Sequence, residues 1–266
     1  MKRIFLVRHG ESEGNADKSI HLRVADHAIH LTSKGRGQAF QAGQFLAGYL
    51  NGLRNEAMYG LPRHSGIVRD YVRKTPAFEA YQTQFFEPLL YAFPELPVLC
   101  RLWFSPYQRT IETKDSLREG ICSEIDIRKH VIDSREHVLL GEQQFGLFDG
   151  LSDEELLEQY PAEQAHYQKQ EDFSGRFWAR MPMGESRFDV AQRVQQSFGT
   201  FHRDEDKHGI QNIIVVAHGV TIRAFVMMWC HKSVEWFEHE RNPKNCSIRL
   251  IEDNEDRGYI YAGFDR

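Results

Sequence analysis

The chain has 266 residues, a net charge of −5 and ordinary apolar and charged fractions, which fit one large soluble domain or a core domain with an insertion. No apolar run reaches membrane-spanning length and no hydrophobic leader precedes the first strand, so neither a membrane nor a secretory route is expected. The negative balance argues against nucleic acid as a main partner. Cys100, Cys122, Cys230 and Cys246 are too dispersed for a C-x-x-C site or a disulfide framework, so the expected location is cytoplasmic.

Residues 3–8 form a short, almost continuously apolar strand of the kind buried inside a covered sheet. A loop rich in His and Asp follows; its His21, His27 and His30 lack metal-ligand spacing, so no metal or other cofactor is expected. "LTSKGRGQA" opens a helix with Thr32 or Ser33 as N-cap, continued by Ala39, Ala42, Leu46, Tyr49, Leu50 and Leu53 at helical spacing. Residues 51–97 read as an insertion that would fold over the strand ends as a lid; its basic stretch (Arg63, His64, Arg69, Arg73, Lys74) reads as a solvated helix face, or alternatively as site lining, and its aromatic stripe (Phe78, Tyr81, Phe85) would pack it onto the core.

The strand signal returns at 98–104, after which Ser105-Pro106 reads as an N-cap and N1 proline, placing Arg109 in the first turns of a helix. Ser152-x-x-Glu155 is a capping box before a further helix, and "GESRFDVAQRVQQSFGTF" presents Val190, Val194, Phe198 and Phe201 on one face. "NIIVVAHG" at 212–219 is the clearest buried strand and leads into a buried helix; "SIRLIED" and "GYIYAGF" close the chain as a hairpin. Strands alternating with helices predict an α/β fold, a three-layer α/β/α sandwich with a mostly parallel sheet and helices on both faces.

"LVRHG" and "VVAHG" share one grammar: a buried strand ends in His-Gly and the chain turns away. Ligands of open α/β sheets bind outside the carboxyl ends of the strands, so neighbouring strands would bring His9 and His218 face to face there. Gly10 and Gly219 would permit close approach of backbone to ligand, and the helix after His218 would offer an N-terminus to an anion. Arg8 and Arg109 add planar guanidinium forks suited to phosphate. A neutral imidazole whose other nitrogen is held as a donor is a competent nucleophile towards phosphorus. His9 would attack, the arginines and His218 would neutralise the equatorial oxygens, and an acid would protonate the leaving alkoxide. Glu142, between an apolar run and a glycine turn, suits that role because desolvation raises its pKa; Glu136 and Asp149 lie close enough in sequence to compete.

These motifs give the chain a plain resemblance to the histidine phosphatase superfamily, phosphoglycerate mutase-like branch. "LVRHGESEGN", "LTSKGRGQA", "FSPYQRTIET", "GEQQFG", "GES" and "AHGVTIR" follow in the family's order, over nearly the whole chain outside 51–97. "DHAIHLT", "REHVLLGEQQFG" and "VEWFEHERNPKNCSIR" look like a group within it found in plants and fungi. The resemblance implies a phosphoglycerate mutase-like fold, His9 as the phosphorylated residue, Glu142 as proton donor, and Arg8, Ser12, Asn15, Arg109, Arg180 and Gly219 as phosphate or substrate contacts. It implies a small phosphorylated substrate and no metal; the sequence carries no signal for an oligomeric state. The short stretch from Gly150 to Gly184, with only Arg176 and Arg180, and Val220 after His218-Gly219 depart from the cofactor-dependent mutases. Both departures favour a phosphatase. The alternatives are a phosphoglycerate mutase and a catalytically silent phospho-ligand binder.

Overall fold

The computed structural model describes residues 3–59, 100–124 and 131–265. Its chain order is β1 (Arg3–Arg8), α1 (Glu13–Ala16), α2 (Ser33–Tyr59), β2 (Cys100–Phe104), α3 (Gln108–Glu124), β3 (Val131–Glu136), α4 (Asp153–Gln159), α5 (Pro161–Ser174), α6 (Arg187–His208), β4 (Asn212–Ala217), α7 (Gly219–Trp229), α8 (Val234–His239), β5 (Ile248–Glu252) and β6 (Glu255–Tyr261). The insertion read at 51–97 begins as the last turns of α2; the remainder, with its basic stretch and aromatic stripe, lies outside the described residues.

The sheet runs β3-β2-β4-β1-β5-β6. Its first four strands are parallel, and the β5/β6 hairpin is antiparallel at one edge. Alternation along the central strands sends neighbouring residues to opposite faces. Ile4, Leu6, Ile213 and Val215 pack with Val190, Val194, Phe201 and Phe225 of α6 and α7. Phe5, Val7, Ile214 and Val216 pack with Ala39, Leu46, Leu117 and Ile121 of α2 and α3. Each fully buried large side chain here contributes about 1.5–3 kcal/mol. The expected three-layer α/β/α sandwich is therefore the observed one, and no helix among the described residues is long and apolar enough to cross a membrane.

Register positions the site. Arg8 pairs with Ala217, and Phe104 with Val216, so β1, β4 and β2 finish nearly level. Two further backbone bonds carry the alignment past the strands: His9 N–H donates to Ala217 O (3.0 Å) and Ser105 N–H to Val216 O (3.1 Å). Three adjacent strand ends thus deliver His9, His218 and Ser105 to one rim.

Local readings fared unevenly. Thr32 caps α2, its hydroxyl accepting from Gly35 N–H (3.0 Å), and the Ser152–Glu155 capping box forms as read. Ser105 is not the N-cap of α3: the helix begins at Gln108, and Ser105 is left to turn its hydroxyl towards His218. β3 and α5 were missed. "VIDSRE" is polar along a sheet edge, and α5 buries only Tyr167, so neither carries the apolar period that marks an element. Gly10 is needed for packing against the chain itself. A Cβ on Gly10 would lie 2.4 Å from Gly35 O, and one on Gly35 2.1 Å from Glu11 O. The end of β1 thus rests directly on the first turn of α2.

Candidate active site

His9 is 3% exposed and His218 fully buried, with ring centroids 5.3 Å apart at 60°. His9 Nδ1–H donates to the carbonyl of Gly10 (2.7 Å), an acceptor with no proton of its own, so in the neutral ring Nε2 is the nitrogen with the lone pair. His218 Nε2 shares a hydrogen bond with Ser105 Oγ (2.8 Å). Its Nδ1 is buried without a partner among the described residues. Burial, and then the neighbouring charge of Arg109, holds His218 well below the ordinary imidazole pKa, so it is neutral near pH 7. The charge that the sequence reading assigned to it is replaced by a hydrogen-bonding nitrogen.

Arg8 and Arg109 are both buried, and both lie near enough to Glu142 and His218 to act on their ionisation. Arg8 Nη1 donates to Pro243 O (2.5 Å), which anchors the guanidinium to the loop before β5. Arg109 lies 4.8 Å from the centroid of the Tyr107 ring, and that ring is 4.8 Å from His218. Burial raises the Tyr107 phenol to about 12, leaving it a neutral wall. Arg109 is also clamped by Asp26: Nη1 donates to Asp26 O (2.6 Å) and Oδ1 (2.9 Å), Nη2 to Oδ2 (3.2 Å).

Glu142 sits between the same arginines. Burial raises its pKa, partly opposed by the hydrogen bond its Oε1 accepts from Gln143 N–H (2.9 Å) and by Arg109 and Arg8. Of its sequence competitors, Glu136 is exposed at the end of β3 and Asp149 is turned to His21, 3.5 Å away. The loop bearing Glu142 is fixed from beneath. Arg193 of α6 donates to Leu139 O (2.8 Å), Gly141 O (2.9 Å) and Glu142 O (2.9 Å). Glu185 holds that guanidinium at 2.8 and 3.1 Å, and Thr221 of α7 donates to Gly141 O (2.6 Å). The Glu of "GES" therefore orients an arginine that orients the Glu142 loop.

Other sequence candidates stand differently. Ser12 and Asn15 bond to each other, Asn15 N–H to Ser12 Oγ and Ser12 N–H to Asn15 Oδ1 (both 3.2 Å), capping α1 beside the site. Gly219 is the first residue of α7, where a Cβ would meet the Asn242 side chain at 3.3 Å. Arg180 is exposed; its side chain pairs with Asp189 (2.6 Å) and its N–H donates to Gln170. Among the loop histidines, His30 bonds Glu112 (2.6 Å), His27 is exposed, and His21 packs beside Asp26 and Asp149. Ser105, Tyr107, Asp26, Arg193 and Thr221 escaped the sequence reading, because each acts through a contact between segments remote in the chain.

This rim of paired histidines, two arginines and a half-buried carboxyl, at the carboxyl ends of a mostly parallel sheet, belongs to a known class. The model of the histidine phosphatase superfamily (branch 1) matches residues 4–52 and 91–264, and the chain belongs to that family. The break in the match falls on the insertion read from the sequence. Among its relatives, the phosphoglycerate mutase-like protein AT74 of Arabidopsis thaliana is 31% identical over 98% of this chain and 68% of its own length. The broad-range acid phosphatase DET1 of Saccharomyces cerevisiae is 25% identical over 94% and 84%. In fold, the chain is similar to a mycobacterial glucosyl-3-phosphoglycerate phosphatase, with a TM-score of 0.60, 18% identity and coverage of 99% and 100%.

Proposed function

We propose that the protein is a phosphatase that hydrolyses a small phosphomonoester through a phosphohistidine on His9. The observation that carries this reading is the Gly10 carbonyl on His9 Nδ1–H, which directs Nε2 of the neutral ring, as nucleophile, into a buried site that also holds Arg8 and Arg109. His9 Nε2 forms the new N–P bond in line with the breaking ester P–O bond. Arg8 and Arg109 take up charge on the equatorial oxygens. With the Ser105 hydroxyl donating to His218 Nε2, the buried Nδ1–H of His218 donates a hydrogen bond to a phosphoryl oxygen and keeps its proton. Glu142, whose pKa burial raises, gives its proton to the departing alkoxide. Its carboxylate then takes a proton from the water that attacks phosphorus, which releases phosphate and restores His9.

Ser12, Asn15 and Gly219 line the approach; Arg180, exposed and paired with Asp189, gains no support as a substrate contact. The unit is one histidine phosphatase-type domain over 1–266 with its insertion at about 51–97, works without metal and resides in the cytoplasm. Its four cysteines are unpaired, which accords with that location. The relatives' names support hydrolysis most directly through the yeast acid phosphatase.

The test is a panel of phosphorylated metabolites assayed for phosphate release, with quenched turnover of labelled substrate. An acid-labile, base-stable label on wild type, absent from His9→Ala together with turnover, is expected, with rates unchanged by chelator. Near-normal activity in His9→Ala overturns the mechanism. Isomerisation of a monophosphoglycerate primed with its bisphosphate, in place of phosphate release, makes the protein a mutase.

A further inference from the structure

The sequence motifs promise two arginines for phosphate, and the structure shows that one of them is already answered by a carboxylate. Asp26 meets both terminal nitrogens of Arg109 and adds its backbone carbonyl to the same guanidinium. The loop that brings it there is built for the purpose. His21 fits against two glycines, where a Cβ on Gly14 would lie 2.5 Å from its Nε2 and one on Gly150 2.8 Å from its Cβ. There the imidazole stands 3.7 Å from Asp26 and 3.5 Å from Asp149, and the neighbouring Asp149 carboxylate raises its pKa. One imidazole thus stands between two carboxylates, so the wall beside Arg109 leans negative whether or not that ring is protonated.

Several arginines of the surrounding segments are already paired. Arg193 is spent on Glu185 and three carbonyls, Arg180 faces Asp189, Arg36 faces Glu112, and Arg23 faces Asp17. The phosphoryl group itself retains Arg8 and the remaining donors of Arg109. A carboxylate or second phosphate on the leaving group would meet the Asp26–Asp149 wall.

We propose that Asp26, backed by Asp149, is a specificity-determining residue that selects phosphomonoesters of neutral or cationic alcohols over those whose leaving group carries a second anionic group. The inference rests on the phosphatase reading and sharpens it towards a substrate class. Like charges set side by side in a half-exposed site discriminate by electrostatic repulsion, which removing the carboxylate charge relieves. Asn at position 26 keeps an acceptor for Arg109, so it separates that repulsion from mere positioning of the guanidinium.

The experiment compares glycerol 3-phosphate with 3-phosphoglycerate, which share a three-carbon skeleton and differ by a carboxylate, on wild type and Asp26→Asn. Both kcat/KM and calorimetric dissociation constants are measured. Wild type should favour glycerol 3-phosphate by about tenfold, and Asp26→Asn should narrow the ratio by roughly three- to tenfold, chiefly through KM for phosphoglycerate. Equal changes for both substrates make Asp26 a positioning residue only and overturn the proposal, as does a wild type that favours phosphoglycerate. Should neither compound turn over, the phosphatase reading fails for this class, while the ratio of dissociation constants still decides: a shift in Asp26→Asn sustains charge selection and an unchanged ratio refutes it. Binding of neither overturns both. Asp149→Asn, which leaves the Arg109 contact intact, should move the ratio the same way by a smaller factor, so the proposal stays exposed if Asp26→Asn does not fold.

Discussion

Replacing Arg193 with Met should both loosen the fold and blunt the acid. The guanidinium makes five hydrogen bonds, two to Glu185 at 2.8 and 3.1 Å and three to the carbonyls of Leu139, Gly141 and Glu142 at 2.8–2.9 Å. Breaking a buried ion pair from one side costs about 3–5 kcal/mol. Both side chains here keep 17% of their exposure, so water recovers part of the loss and the expected destabilisation is roughly 2–4 kcal/mol. The chemical consequence is local. The Leu139 and Glu142 carbonyls lose the guanidinium and Gly141 O is left with the Thr221 hydroxyl, and a misplacement of about 1 Å at a reacting group costs on the order of a hundredfold in rate. That loss falls on alkyl phosphates, whose alkoxide needs the proton, and spares aryl phosphates, whose phenolate leaves without it. Urea unfolding monitored by far-UV circular dichroism gives the stability, and kcat/KM on an alkyl and an aryl phosphate gives the split. A variant within about 0.5 kcal/mol of wild type, with an unchanged alkyl-to-aryl ratio, would refute the view that Arg193 positions the acid.

Glu142→Gln should slow alkyl phosphates at least about a hundredfold and aryl phosphates far less, read from initial rates on the two classes. Because burial raises the Glu142 pKa in the folded chain, its acid form and alkyl phosphatase activity should both decline as pH rises through that raised value, above the ordinary carboxylate range. The same shift means that the unfolded chain releases this proton first, so wild type loses stability relative to Glu142→Gln as pH climbs from the unfolded pKa to the folded one; thermal midpoints of the two across that window check the sign. Gly35→Ala should cost about 1–3 kcal/mol in urea unfolding, since its Cβ would sit 2.1 Å from Glu11 O and push α2 off the end of β1; a neutral substitution would show that the two segments can part freely.

Much of this protein is written locally. The apolar runs at 4–7 and 213–216 have to be covered on both faces, and that requirement alone dictates central strands between helices. Each run ends in His-Gly, so pairing of the two strands was enough to bring His9 and His218 together, as the register of Arg8 with Ala217 shows. The caps at Thr32 and Ser152 and the apolar stripe of α6 were equally legible, because their signals lie within a few turns of chain. β3 and α5 were not, since an edge strand and a half-exposed helix owe their existence to neighbours that sequence spacing does not name.

Only the tertiary structure decided how the site is tuned. Ser105 looked like a helix cap until the start of α3 at Gln108 freed its hydroxyl for His218. His218 looked like a source of charge until burial beside Arg109 made it neutral. Asp26 and Arg109 lie 83 positions apart, and Arg193 lies more than 50 from the carbonyls it holds. Sequence patterns place a residue on a strand end or a helix face. Protonation, charge compensation and the orientation of a loop depend on which remote groups share its few ångströms of low-dielectric space, and the packing of the layers alone determines that.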